Sequence, residues 1–325
     1  MKKFDQQVER ISSLRHEAVS EALVTELRKA LGNRNNYMVS KAAAVVAHHR
    51  LQELIPQLRT AYDRFFVDAV RSDPQCWAKI ALARAMAELD DYEEPDCFVR
   101  GIQHVQMEPV WGKHVDTAGP LRAQCCLALV NCRTVPSDEM LRILVTALAD
   151  AEPGVRSESA HAMEELGRIE GALVLRLKAL VGDEEPEVTG ACLRAVLAIE
   201  AGTALSFVCK FLERDEDVAT EAALALGLSR LPGVVAPVIV RYRRELDASR
   251  ATVFLTALAV SQKEDAMEFL FTVVEREKPE RAVAAIEALA SVRAGDVAVR
   301  DKVSAAVSRN GDSRVAASFD KKFSF

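Results

Sequence analysis

The sequence predicts an all-α protein, a right-handed superhelix of about eight stacked α-α hairpins. Three observations predict it. An aspartate recurs at a nearly constant interval, and one apolar face is rewritten after each recurrence. Half of the 325 residues are hydrophobic while only 6% are aromatic. That composition suits a large aliphatic core.

The aspartates are Asp116, Asp150, Asp183, Asp215 and Asp247, at spacings of 34, 33, 32 and 32 residues. Asp73 precedes Asp116 by 43, so that unit carries an insertion. Pro74, Pro120, Pro153 and Pro186 lie close behind. An aspartate accepts a free backbone N–H at a helix start, and proline in the first turn has none to leave unsatisfied.

Positions +9, +12, +13 and +16 then form one helical face. They read Leu82, Ala85, Met86 and Leu89; Cys125, Ala128, Leu129 and Cys132; Ser159, Ala162, Met163 and Leu166. The next two units give Cys192, Ala195, Val196 and Ile199, then Leu224, Gly227, Leu228 and Leu231. The second slot is always small, which lets a neighbouring helix approach closely. Asn35 starts a weaker copy with Ala44, Ala47, His48 and Leu51, which makes His48 a core residue. Thr256, Ala259, Val260 and Lys263 follow Asp247, and Ala285, Ala288, Leu289 and Val292 fit without a leading aspartate. Degenerate end units are expected where one face meets water. A second helix closes each hairpin, as in DEMLRILVTALAD, GALVLRLKALVGD and TALSFVCKFLERD.

These features divide the chain into a single repeat array over 1–308 and a tail over 309–325 that leaves the helical pattern. Within the array, 1–70 is an atypical N-terminal cap and 108–116 an insertion loop. The tail's Phe319, Phe323 and Phe325 either dock on the array or face another protein.

The units resemble HEAT repeats, in particular the short HEAT-like kind of phycobilisome lyases. The pattern D-x5-[RK] carries the resemblance, in Asp73 with Lys79, Asp116 with Arg122 and Asp150 with Arg156. The resemblance implies a ladder of such pairs between adjacent units. Thr189, Glu221 and Val253 stand where the later basic members would be, so the ladder is expected only in the N-terminal half. It also implies that second helices line a concave surface. Arg100, Arg142, Arg176, Lys178, Lys210, Arg241 and Arg243 would then form a positive stripe that attracts an acidic protein or peptide. The bland reading is that these residues solubilise an exposed face and pair with nearby carboxylates.

Trp111 and His114, in the insertion QMEPVWGKHVDTAGP, are the other candidate partner contacts, because a loop that lengthens a repeat often carries binding residues. Alternatively, Trp111 plugs an apolar gap. His104 and Glu108, four apart, with His114, could be imagined as metal ligands, but no spacing is diagnostic. No catalytic, cofactor or metal site is assigned. Gly-rich phosphate loops, HExxH and GxSxG are missing from the sequence. One His-Glu pair, His16–Glu17, is too few for the di-iron hydroxylases of the same repeat class.

The expected function is therefore a non-enzymatic protein-binding scaffold. The resemblance supplies a second reading, a bilin (tetrapyrrole) lyase-like subunit, and a third, a nucleic-acid-binding HEAT protein. The net charge of −6 argues against nucleic acid. Seven cysteines without a CxxC pair read as reduced thiols of a cytoplasmic protein, with Cys125, Cys132 and Cys192 in core slots. The opening MKKFDQQVERIS lacks the apolar stretch of a secretory leader, and no membrane span is expected.

Overall fold

The computed structural model describes residues 2–323, which divide into two compact units, 2–166 and 167–323. Each unit is a stack of helical hairpins, the architecture expected from the repeat.

The first unit contains α1 (Lys2–Ser13), α2 (Glu21–Leu31), α3 (Asn36–His48), α4 (Ile55–Arg64), α5 (Ala69–Ser72), α6 (Trp77–Glu88) and α7 (Asp96–Gln103). A two-stranded sheet, β1 (Met107–Val110) and β2 (Lys113–Asp116), precedes α8 (Gly119–Leu129), α9 (Ser137–Ala147) and α10 (Pro153–Leu166). The first helices α3, α6, α8 and α10 pack in succession, and α4, α7 and α9 close their hairpins. The second unit contains α11 (Ile169–Val181), α12 (Pro186–Glu200), α13 (Leu205–Cys209), α14 (Glu216–Ser229), α15 (Val235–Arg244), α16 (Ala248–Ser261), α17 (Glu264–Arg276), α18 (Pro279–Arg293), α19 (Val297–Asn310) and α20 (Ser313–Phe323). Here α12, α14, α16, α18 and α20 stack in turn.

The apolar template holds in the middle of the chain. Leu82, Ala85, Met86 and Leu89 are buried, as are Cys125, Ala128, Leu129 and Cys132. It slips at both ends, for one reason. Asp116, Asp150 and Asp183 lie three residues before their helices, and Asp73 four, whereas Asp215 and Asp247 are themselves the N-cap residues. The buried face therefore comes two positions earlier after Asp215 and Asp247. Leu228 is 51% exposed, while Ala222, Ala225 and Leu226 are buried. After Asp247 the core residues are Phe254, Ala257 and Leu258, not Thr256 or Val260. At the N-terminal end, Asn35 caps α3 directly through Met38 N–H, so Ala42, Val45 and Val46 form the core and His48 is exposed. The core role expected for His48 is thus corrected.

Three further expectations change. The insertion is an antiparallel hairpin, with Met107 opposite Asp116 and Val110 opposite Lys113. Its turn, Trp111–Gly112, has φ +48° and +80°. Two consecutive positive φ values make the tight turn that matches strand twist, and glycine at the second position meets that demand without a Cβ clash. The tail does not leave the helical pattern: α20 packs against α18 and α19, with Val315 and Phe323 buried. Phe319 and Phe323 stack at 5.5 Å, and Phe325 lies outside the described residues. Finally, the run Pro186–Glu213 is long and apolar enough to cross a membrane by length and composition alone. Its first part, α12, is a core helix with Val188, Cys192, Leu193 and Val196 buried, and Ala201 at φ +51° ends it.

Candidate functional site

The polar ladder of the first unit fixes the ground on which the hairpin stands. Asp73 and Lys79 are both fully buried and 3.1 Å apart. Asp73 also accepts the N–H groups of Ala78 and Lys79 at 2.9 and 3.0 Å, which starts α6. One repeat later, Arg122 on α8 is 4% exposed and bridges Asp116 at 2.6 Å and Asp150 at 2.8 Å. It also donates to the His104 carbonyl at 2.9 Å. Ion pairs this buried work only when every charge is hydrogen-bonded, and Arg122 meets that condition.

The hairpin is tied to this ladder by Glu108 and Gln106. Glu108 Oε1 accepts from Gln75 N–H at 2.7 Å, from Gln106 Nε2 at 2.6 Å and from the Thr117 hydroxyl at 2.7 Å. Gln106 Nε2 donates to the Asp73 carbonyl at 2.9 Å, and Gln106 N–H donates to Asp116 at 3.0 Å. Burial pushes the Glu108 carboxyl up, but the hydrogen bonds from Gln106, Thr117 and Gln75 outweigh it and hold the group below its ordinary range. Asp116 is held low in the same way: burial opposes ionisation, and the Gln106 and Ala118 N–H groups with Arg122 overcome it. The hairpin is thus fixed at its base, while its tip bears Trp111 with 100% of its surface exposed.

Between the hairpin, α7 and α9 lies a cleft of about 730 Å³. Arg122, Asp116 and Asp150 line it together with Ile102, Val105 and Met107. Val105 and Met107 are 60% and 49% exposed, an apolar strip open to solvent. Arg142 and Ile143 of α9 line it too.

The predicted partner contacts fall into three groups. Arg142 lines the cleft, and Trp111 and His114 sit on the hairpin beside it, both exposed. Arg142 is open to solvent, and its only ion pair among the described residues is to Asp138, at 2.9 Å on its own helix. A second group spends its charge internally. Arg100 pairs with Asp63 and stacks on Phe66 at 4.3 Å. Arg176 pairs with Glu200, Lys178 with Asp183 at 2.7 Å, and Arg241 with Glu245 at 3.0 Å. Lys210 and Arg243 form the third group, exposed and without an ion pair among the described residues.

The imagined metal triad does not assemble. The helix ends at Gln103, so His104 and Glu108 share no helical face; His104 is 3.0 Å from the Gln106 side chain, and Glu108 is consumed by its three donors. Among the described residues no cluster of metal-ligating side chains occurs. Sequence reasoning missed Met107, Val105 and the hairpin itself; the Trp-Gly pair between two short apolar stretches was the available signal.

No family model matches the chain, and no curated protein matches it. Among solved structures it is similar to the complex of CpcE and CpcF of phycocyanin lyase from Nostoc sp., at 17% identity and a TM-score of 0.39, covering 74% of this chain and 91% of that one. An engineered protein is similar at 17% identity and a TM-score of 0.38, covering 98% and 94%. Likeness at that level carries no argument about function. The class is defined by the geometry alone: a protein of stacked, repeated helical hairpins.

Proposed function

We propose that this chain is a non-enzymatic scaffold that holds an extended segment of a partner protein in the cleft beside the hairpin. The observation that carries the reading is Trp111, wholly exposed on a hairpin whose base is locked by Glu108 and Gln106. An aromatic held rigidly in solvent loses little entropy on binding, which is why such residues anchor interfaces. Val105 and Met107 extend the apolar strip, and Arg142 supplies a cation for an acidic segment.

The cleft is poorly suited to the tetrapyrrole reading. A bilin carries two propionates, and Arg122, the other cation lining the cleft, already serves Asp116 and Asp150. Nucleophilic chemistry by the thiols is also disfavoured: burial pushes Cys76 and Cys125 up to about 12.

The test is selection of short peptides from a random displayed library on the purified chain. Selected peptides should be rich in acidic and apolar residues and lose at least about tenfold in affinity with Trp111→Ala or Arg142→Glu, worth about 1.4 kcal/mol. Peptides that bind those variants as well as the parent would place the partner site elsewhere. An absorbance shift on mixing the chain with a bilin, abolished by Arg142→Glu, would instead favour the tetrapyrrole reading.

A further inference from the structure

We infer that the second unit carries a docking slot for an arginine side chain of a partner protein, at the ladder position that the first unit fills from within. Arg122, six residues after Asp116, pairs with Asp116 at 2.6 Å and with Asp150 at 2.8 Å. The corresponding aspartates of the second unit are Asp183 and Asp215, and six residues after Asp183 stands Thr189, too short to join them. A cavity of about 410 Å³ is left there, lined by Asp183, Glu184, Thr189 and Asp215 together with an apolar wall. Thr189 is 2% exposed, and its hydroxyl has no hydrogen-bond partner among the described residues. Such a hydroxyl costs free energy, and a donor brought into the cavity would remove that cost.

Carboxylates at a helix start are common, because the helix dipole favours them, so an acidic lining alone would say little. Their pairing is what matters here. Asp183 is held by Lys178 at 2.7 Å and by the Glu185 N–H at 3.0 Å. Glu184 and Asp215 are exposed and have no ion pair among the described residues. Asp215 does not spend its carboxylate on capping α14 either. Arg214 is the one cation in the lining, and its guanidinium stands over the Phe211 ring at 5.4 Å and pairs with neither carboxylate. Two carboxylates therefore face a single cation across the cavity, beyond the Asp183–Lys178 pair.

A guanidinium suits this lining better than any other cation. It is planar, carries five N–H donors, and can serve two carboxylates while giving a further N–H to a hydroxyl. Val181, Phe211 and Val218 supply the apolar wall along which its stem would pack. A divalent ion fits less well, because no three metal-ligating side chains cluster among the described residues. Carboxylates too far apart to share one ion are within the span of a guanidinium. Water is the bland occupant of such a cavity, and the experiment separates the two. The slot belongs wholly to the second unit and does not rest on the Trp111 cleft.

The experiment titrates the full, isotope-labelled chain with an end-capped tripeptide, Ala-Arg-Ala, and follows the backbone amide resonances by NMR. The signals of Gly182, Thr189 and Asp215 should shift and saturate at a roughly millimolar concentration, as fits one anchored side chain. Citrulline in place of the arginine keeps the shape without the charge and should abolish the shifts. A lysine peptide should bind at least about threefold more weakly. Glu184→Gln with Asp215→Asn should weaken arginine binding at least about tenfold, and Thr189→Val about threefold. Arg214→Gln should tighten it about threefold by removing a like charge. Asparagine caps a helix as well as aspartate does, so the double variant should keep the circular dichroism of the parent. Trp111→Ala should change nothing, which separates failure here from failure of the cleft reading. Absence of saturable shifts overturns the inference, as do equal shifts with citrulline or lysine, or shifts that persist in the double variant. Calcium producing the same shifts at a lower concentration assigns the slot to a metal ion and overturns it too.

Discussion

The two units use the same hairpin and hold it differently. In the first, buried charge runs through the stack: Asp73 with Lys79, then Asp116, Arg122 and Asp150 in one bonded chain. In the second, helices approach through small residues. A Cβ on Gly227 of α14 would fall on the carbonyl oxygen of Ala257 in α16, and one on Gly190 of α12 would meet the Glu221 carboxylate on α14. Where the first unit has Lys79 and Arg122, the second has Thr189 and Glu221. A repeat period therefore fixes where helices meet and leaves open whether the contact is ionic or apolar. The ionic form has a use: the ladder carboxylate of Asp116 accepts the Gln106 N–H at the base of the inserted hairpin, while the Gln106 side chain holds the Asp73 backbone carbonyl.

The largest expected effect breaks the ionic side of this contrast. Lys79→Ala leaves Asp73 buried and uncompensated, so urea unfolding should show a loss of about 3–5 kcal/mol. The loss should extend to the hairpin, seen as faster proteolysis near Trp111. A loss under about 1 kcal/mol would mean that the Ala78 and Lys79 N–H groups and the Asn36 amide satisfy Asp73 without the ammonium. Breaking the apolar side comes next. Gly227→Val should cost roughly 3 kcal/mol, because the obstacle is backbone and cannot rotate away. If α14 and α16 simply separate, a tolerated valine would show that their close approach is incidental.

How far the sequence carried this picture depends on which interactions set the register. Where an aspartate stands three or four residues ahead of its helix, the template located core residues to the position, as at Cys125, Ala128 and Leu129. Where the aspartate became the cap itself, a two-residue slip put Leu228 outside. The aspartate looks the same in both contexts; only the backbone hydrogen bonds distinguish them. Arg100, Arg142, Arg176, Lys178, Arg241 and Arg243 lie on second helices and Lys210 just past the end of α13, but their partners were not legible, because Asp63 for Arg100 and Glu200 for Arg176 come from other turns of the stack. The hairpin escaped notice because four-residue strands leave too few alternations to read.

A smaller effect sharpens the contrast through pH. The carboxyl of Glu108 is held below its ordinary value, so its contribution is present above the unfolded pKa and lost as pH falls through the lower folded one. Glu221 goes the other way: burial, with Glu187 nearby, pushes its carboxyl up. Its penalty is present at neutral pH and relieved as pH falls through the raised value. Unfolding of Glu108→Gln and Glu221→Gln between about pH 7 and about pH 3 should therefore change the stability difference from the parent in opposite directions. The deficit of the first should shrink on acidification, and the advantage of the second should shrink likewise. Parallel trends would show that the two carboxyls share one environment.

Thr189 provides the mildest perturbation and the most direct reading of the vacant ladder position. It lies six residues after Asp183, where Lys79 lies after Asp73, and its buried hydroxyl finds no hydrogen-bond partner among the described residues. Asp183 instead pairs with Lys178, one helix earlier. A hydroxyl buried without a partner costs free energy, and valine keeps the shape without the polar atom. Thr189→Val should thus be neutral or stabilising by up to about 1 kcal/mol in urea unfolding. A lysine restored there should not rebuild the ladder, because Lys178 already serves Asp183 and the new charge would be buried beside it. Stabilisation by Thr189→Lys and loss by Thr189→Val would mean that the second unit retains a polar seam after all.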